Sequence, residues 1–173
     1  ADLALAALAL DRLKAATGRG ARMTLAMPGG SALLIAESYN ANPASMAAAI
    51  ALLGQAPLGP QGRRIAVLGD MLELGAQGEA LHRVLAEPIQ AAGIDLVYCC
   101  GPLMRALWEA LPSNRRGGYA ETAAALEPAV LDAIRAGDAV MVKGSLGSKM
   151  GPIVKALERR FPRPAALAQA DKV

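Results

Sequence analysis

Short, uninterrupted apolar runs alternate along this chain with longer amphipathic ones, and this alternation restricts the fold more than any other feature. Arg64-Ile65-Ala66-Val67-Leu68, Asp95-Leu96-Val97-Tyr98-Cys99-Cys100 and Asp138-Ala139-Val140-Met141-Val142 each read as a strand with no charge in its interior. A strand that is apolar at consecutive positions is covered on both faces, as in a parallel sheet between two layers of helices. The segments between predict helices over about 43–53, 77–92 with a kink before Pro88, 103–111, 121–136 and 148–161, and a short strand over Gly118-Tyr119-Ala120. Near the start, Arg22 to Met27 and Ala32 to Glu37 are joined by Pro28-Gly29-Gly30-Ser31, which predicts a β-hairpin. The expected fold is therefore α/β: a three-layer domain whose mostly parallel sheet carries an antiparallel N-terminal hairpin.

Composition narrows the function classes. One domain fits 173 residues, and 54% hydrophobic content is ample for a core. Only 3% of residues are aromatic, so the core is built from Ala, Leu, Val and Ile, and a base-stacking platform for single-stranded nucleic acid is excluded. The net charge of +3 is spread in pairs such as Arg63-Arg64, Arg115-Arg116 and Arg159-Arg160, which read as solvated element ends rather than a nucleic-acid footprint. Cys99 and Cys100 are adjacent on a strand and point to opposite faces, so they do not pair; reduced cytoplasmic thiols are the plain reading. The opening ADLALAALALDRLKAA is charged and too short to span a bilayer, so it predicts a helix, stopped at Thr17-Gly18-Arg19-Gly20. It starts in mid-pattern without Met, as expected of a piece of a longer chain or a processed product, and the tail after Pro162 reads as loose.

The polar clusters fall where an open α/β sheet binds ligands, beyond the carboxyl ends of its strands. Glu37-Ser38-Tyr39-Asn40-Ala41-Asn42 follows one strand, Gly69-Asp70-Met71-Leu72-Glu73-Leu74-Gly75 another, Gly101-Pro102 a third and Lys143-Gly144-Ser145-Leu146-Gly147-Ser148-Lys149-Met150 the last. Each also has a purely architectural reading. Asn40 and Asn42 can make Asx turns and cap the helix at Pro43; Asp70 and Glu73 can be a turn residue and a cap; Ser148 can cap the last helix. His82, the only histidine, reads as a satisfied surface or interface side chain rather than a catalytic one. The chain contains no Gly-x-x-x-x-Gly-Lys-Ser/Thr phosphate loop, no Gly-x-Gly-x-x-Gly, and no metal-ligand cluster.

Three of these clusters carry a family resemblance. Ser38-Tyr39-Asn40-Ala41-Asn42-Pro43 with Ser45-Met46, Val67-Leu68-Gly69-Asp70-Met71-Leu72-Glu73-Leu74-Gly75 with His82, and Val142-Lys143-Gly144-Ser145 with Met150 resemble, in order and spacing, the C-terminal domain of the Mur ligases, most of all the type that adds D-alanyl-D-alanine to the UDP-N-acetylmuramoyl tripeptide (the MurF type). The resemblance implies a Rossmann-like domain over residues 18–161, preceded in 1–17 by the last helix of a central ATPase domain and followed in 162–173 by a tail. It implies a cytoplasmic enzyme that activates the peptide carboxylate as an acyl phosphate, with ATP and Mg²⁺ held mainly by the central domain and the UDP-sugar peptide by an N-terminal one. This chain lacks the phosphate loop and is expected to be inactive alone. Carried over by position, Arg19 would be catalytic, reaching the nucleotide phosphates. Glu37 stands where the family has Asp near the ribose, and Tyr39, Asn40 and Asn42 would face ATP. Asp70, Glu73, Lys143 and Ser145 lie at the edge expected to receive D-alanyl-D-alanine, where Leu146 replaces a residue that is often polar or basic. No metal ligand is assigned to this chain. The competing expectation is a stand-alone Rossmann-like module binding a small ligand or a partner protein, its polar edges forming a cleft without chemistry.

Overall fold

The computed structural model describes residues 20–164; the expected first helix and Arg19 lie outside the described residues. Strands β1 (Ala21–Met27) and β2 (Gly30–Glu37) form the hairpin, closed by Pro28 and Gly29 alone. There follow α1 (Pro43–Gly54), β3 (Arg64–Gly69), α2 (Gly78–Arg83), α3 (Ala86–Ala91), β4 (Leu96–Cys100), α4 (Met104–Ala110), β5 (Arg116–Ala120), α5 (Ala123–Ala133), β6 (Ala139–Lys143) and α6 (Gly151–Arg160). The six strands lie in the order β1-β2-β6-β3-β4-β5, antiparallel only between β1 and β2. The expected α/β architecture, with its mostly parallel sheet and antiparallel hairpin, is the one observed.

The strand side chains sort by parity. Ile35, Ala66, Leu68, Val97, Cys99 and Met141 pack with α1, α3 and α4 on one face, whereas Leu34, Ala36, Val67, Cys100, Val140 and Val142 pack with α5 and α6 on the other. This two-residue alternation explains why the strand sequences are apolar throughout: each face has its own helix layer. It also places Cys99 and Cys100 in different cores, both as free thiols.

Three boundaries differ from expectation. The segment 77–92 is two helices, parted at Val84 and Leu85. Pro88 has no N–H to bond the carbonyl four residues back, that of Val84, and Glu87 N–H bonds it instead at 3.3 Å. The helix expected to 136 stops at Ala133, where Ile134 turns extended. The last helix begins at Gly151 rather than Ser148, because a 3₁₀ turn over Leu146–Ser148 and a left-handed Lys149 (φ 56°) precede it. Beyond α6, the Pro162 carbonyl accepts Ala26 N–H at 3.2 Å, so the tail is tied to β1 at its first residue. Among the described residues no helix is long and apolar enough to cross a membrane.

Candidate functional site

Strand order sets the site. After β2 and β3 the chain departs to the face covered by α1–α4, whereas after β6, which lies between them, it departs to the face of α5 and α6. Loops that part in this way open a crevice beyond the carboxyl ends of the strands. Glu37 and Lys143 are register partners at the ends of β2 and β6. Lys143 Nζ donates to Glu37 Oε2 at 3.0 Å and to the Asn40 carbonyl at 2.9 Å, and the lysine is only 3% exposed. The lysine is thus committed to holding the loop after β2, with one of its three N–H groups left over.

The rest of that loop is fixed by a capping box. Asn42 Oδ1 accepts Ser45 N–H at 2.8 Å while Ser45 Oγ accepts Asn42 N–H at 3.0 Å, which starts α1 before Pro43. Asn42 therefore does cap the helix, and its side-chain NH₂ is the part left for a ligand. Ser145 ties the three loops together. Its Oγ accepts Leu72 N–H at 3.0 Å and donates to the Ala41 carbonyl at 3.4 Å, and its own N–H donates to the Asp70 carbonyl at 3.1 Å. Gly144 precedes it because a Cβ there would meet Ser148 Oγ at 2.5 Å.

The loop after β3 hangs from two buried groups. Asp70 is 4% exposed, and its carboxylate accepts Met104 N–H at 2.8 Å and Leu103 N–H at 3.3 Å, capping the start of α4. Burial pushes the Asp70 carboxyl above its ordinary value despite these two hydrogen bonds. Gly101 (φ 112°) is required opposite, since a Cβ would come within 2.4 Å of Asp70 Cγ. His82 is fully buried, not a surface residue. Its Nε2 accepts Met71 N–H at 2.9 Å, which assigns the proton to Nδ1, facing the Gly78 carbonyl at 2.6 Å. Its i, i+4 spacing from Gly78 was visible in the sequence; its contact with Met71 was not. Glu73 is exposed and left-handed (φ 63°).

Two clefts result. The first, of about 440 Å³, is lined by Tyr39, Asn40, Asn42, Glu73, Ser145 and Leu146, among others. It gathers most of the residues singled out from sequence; Glu37 and Lys143 stand behind its wall. Leu72 and Gly147 line both clefts, and the second, of about 620 Å³, contains Asp70. Asp70 is thus separated from Glu73 and Ser145, with which the sequence grouped it. Sequence reasoning missed Lys149, Glu121 and Glu127, which line the second cleft; the lysine's place in the loop after the last strand was the available signal. Among the described residues no group of three or more His, Cys, Asp or Glu could hold a metal ion.

Residues 21–146 match the family model described as the Mur ligase, glutamate ligase domain. The chain is 39% identical over 150 residues to the UDP-N-acetylmuramoyl-tripeptide–D-alanyl-D-alanine ligase of Escherichia coli (strain K12), covering 86% of this chain and 31% of that protein. It is 35% identical over 142 residues to the enzyme of the same name from Bacillus subtilis (strain 168), covering 80% of this chain and 30% of that one. A crystal structure of MurF from Acinetobacter baumannii superposes with a TM-score of 0.76 at 25% identity, over 92% of this chain and 34% of that one. MurF ligase from Thermotoga maritima, solved in complex with ADP, shares the fold with a TM-score of 0.69 at 24% identity, over 88% of this chain and 34% of that one. The chain spans about a third of the length of these relatives. On the family match, the domain fold and the identity to these ligases, the chain belongs to the Mur ligase family and carries its C-terminal domain.

Proposed function

We propose that this domain is the C-terminal wall of the active site in a ligase of the MurF type, which joins D-alanyl-D-alanine to the UDP-N-acetylmuramoyl tripeptide at the expense of ATP. The observation that carries the reading is the tying of three loops into one edge by Lys143 and Ser145, with polar side chains of the loop after β2 left facing a cleft. The relatives that bear this enzyme name and match 80% or more of the chain support the choice of substrate.

In this reading ATP phosphorylates the terminal carboxylate of the peptide. The free amine of the dipeptide then attacks the acyl phosphate, and phosphate leaves as the amide forms. The first cleft has neutral Tyr39, Asn40 and Asn42 and, apart from Glu73, no charged lining residue, which suits a base and ribose better than a triphosphate. In this reading Mg²⁺ and the phosphates are held mainly by the central domain of the full-length protein. Arg19 would add a guanidinium to the charge developing on the transferred phosphoryl group. Glu37 and Lys143 would act by position, holding Asn40 and Asn42 at the cleft, and the domain's closure would keep water from the acyl phosphate.

Phosphate release by the full-length protein tests the reading. With Mg·ATP, release should require both the UDP-linked tripeptide and D-alanyl-D-alanine, and the chain of 173 residues alone should release none. Release that follows D-glutamate or another single amino acid, and ignores the dipeptide, would replace the substrate proposed here.

A further inference from the structure

Where β3 ends, three successive backbone N–H groups are tied to three different parts of the fold. Asp70 N–H donates to the Cys100 carbonyl at 3.1 Å, Met71 N–H to His82 Nε2 at 2.9 Å and Leu72 N–H to Ser145 Oγ at 3.0 Å. The first continues the ladder to β4, and the last belongs to the tying of the loops by Ser145. The middle one has no strand to pair with, and a side chain of α2 supplies its acceptor.

An apolar side chain would fill the space at position 82 without polar cost, whereas a fully buried imidazole is tolerated only when its nitrogens are bonded. Both are: Nδ1 lies 2.6 Å from the Gly78 carbonyl, and Nε2 faces the Met71 N–H. A ring nitrogen that faces a donor carries the lone pair, so the proton sits on Nδ1. Asp70 Oδ1 is 4.0 Å from Nε2, beyond hydrogen-bond reach, and the Asp70 carboxylate is occupied by the Met104 and Leu103 N–H groups. The imidazole is a strut between α2 and the residue before Leu72. Leu72 is exposed, lines both clefts and lies against Gly147, where a Cβ would come within 2.6 Å of Leu72 Cδ1. The ridge has no slack toward the loop after β6, so a shift of its backbone reshapes the wall of the first cleft.

We propose that His82 is a positioning residue for the nucleotide: through the Met71 N–H its imidazole fixes the Leu72 ridge at the first cleft. The assignment rests on the ligase reading above, which places the base and ribose of ATP in that cleft. His82 touches neither substrate nor reacting atoms, and acts only by holding the backbone of the ridge.

The test uses the full-length protein and compares wild type with His82→Gln and His82→Asn. The Gln carboxamide oxygen reaches the place of Nε2 and accepts the Met71 N–H; the Asn side chain, one methylene shorter, reaches only the place of Nδ1. In His82→Asn the KM for ATP, and its Kd by titration, should rise about tenfold, the worth of about one hydrogen bond, with the KM for the UDP-linked tripeptide within about twofold of wild type. His82→Gln should return the ATP values to within about threefold of wild type. Nitrogen NMR of histidine-labelled wild type should show, for the ring signal that His82→Gln removes, a protonated Nδ1 and a bare Nε2, a readout that does not depend on the folding of the Asn variant. A proton on Nε2, a Gln variant as impaired as the Asn variant, or a loss of kcat in His82→Asn with unchanged ATP affinity would overturn the assignment. A protein whose ATP affinity follows His82 in this way, yet whose phosphate release ignores D-alanyl-D-alanine, would overturn the proposed substrate and uphold the strut.

Discussion

Strand β6 is bracketed by two buried ion pairs, and they differ in what they leave unused. At its start, Asp138 is fully buried and accepts four N–H groups: Arg63 N–H at 2.9 Å, Arg63 Nε at 3.2 Å, Arg63 Nη2 at 2.7 Å and Arg135 N–H at 3.0 Å. The guanidinium also reaches the Ala133 carbonyl at 2.7 Å. The carboxylate is wholly spent on joining the β3 entry to the end of α5, while the guanidinium remains 20% exposed. At its finish, Lys143 uses two of three donors, and Glu37 is 22% exposed. The first carboxylate is saturated, as that of a fold-holding pair should be; the second accepts one hydrogen bond, from Lys143, and retains capacity, as that of a loop-holding pair beside a candidate site should. The lesson is that satisfaction of the partners, and not burial alone, distinguishes architecture from site.

The largest effect is expected at the saturated end. Asp138→Ala leaves the guanidinium and two backbone N–H groups without their acceptor, so unfolding free energy should fall by about 3–5 kcal/mol, read from the urea midpoint at constant slope. A loss below about 1 kcal/mol would mean that water replaces the carboxylate freely, and the contrast between the two ends would collapse. At the other end, Asn42→Ala removes the helix cap and should lower stability by about 1 kcal/mol, whereas Asn42→Asp keeps the cap. If the NH₂ of Asn42 serves the nucleotide, Asn42→Asp in the full-length enzyme should keep the melting temperature and raise the KM for ATP by about tenfold. A variant with normal ATP kinetics would reduce Asn42 to a cap.

Smaller effects attach to the buried groups beneath the clefts. The folded carboxyl of Asp70 titrates above its usual 3.8, so its protonated form is favoured in the folded state. Its contribution to stability is present below the unfolded value and lost as pH rises through the raised folded value. The stability difference between wild type and Asp70→Asn should therefore shift against wild type as pH climbs from about 3.8, and then level off; a pH-independent difference would contradict the burial effect. Smallest of all, burial raises the Cys99 thiol strongly and Cys100 to about 11, so a thiol reagent at neutral pH should label neither until denaturant is added.

The strands were legible because their apolar runs are local and have one physical cause, coverage on both faces. The helices were legible in position and less so in extent. Pro88 signalled a kink, but the break falls at Val84 and Leu85, where its missing N–H is felt. The last helix begins later than its sequence pattern suggests, because the left-handed Lys149 before it carries no local signature. The edge itself was legible, since every polar cluster followed a strand. Its internal pairing was not: Lys143 finds Glu37 across 106 residues because β6 inserts beside β2, and nothing near either residue announces that. For the same reason the sequence grouped Asp70 with Lys143 and Ser145, while the structure turns its carboxylate to α4 and to the second cleft.

The most direct test of the contrast between the two ends of β6 is the kcat/KM of full-length Lys143→Met for phosphate release with all three substrates present. Methionine keeps the length and removes the two hydrogen bonds, so the loop from Ser38 to Asn42 loses its clamp while Glu37 can turn to water. The kcat/KM should fall by about 100-fold, the scale of an ångström-sized misplacement, with the melting temperature little changed. Wild-type turnover, or a loss of activity that merely tracks a loss of folded protein, would contradict it.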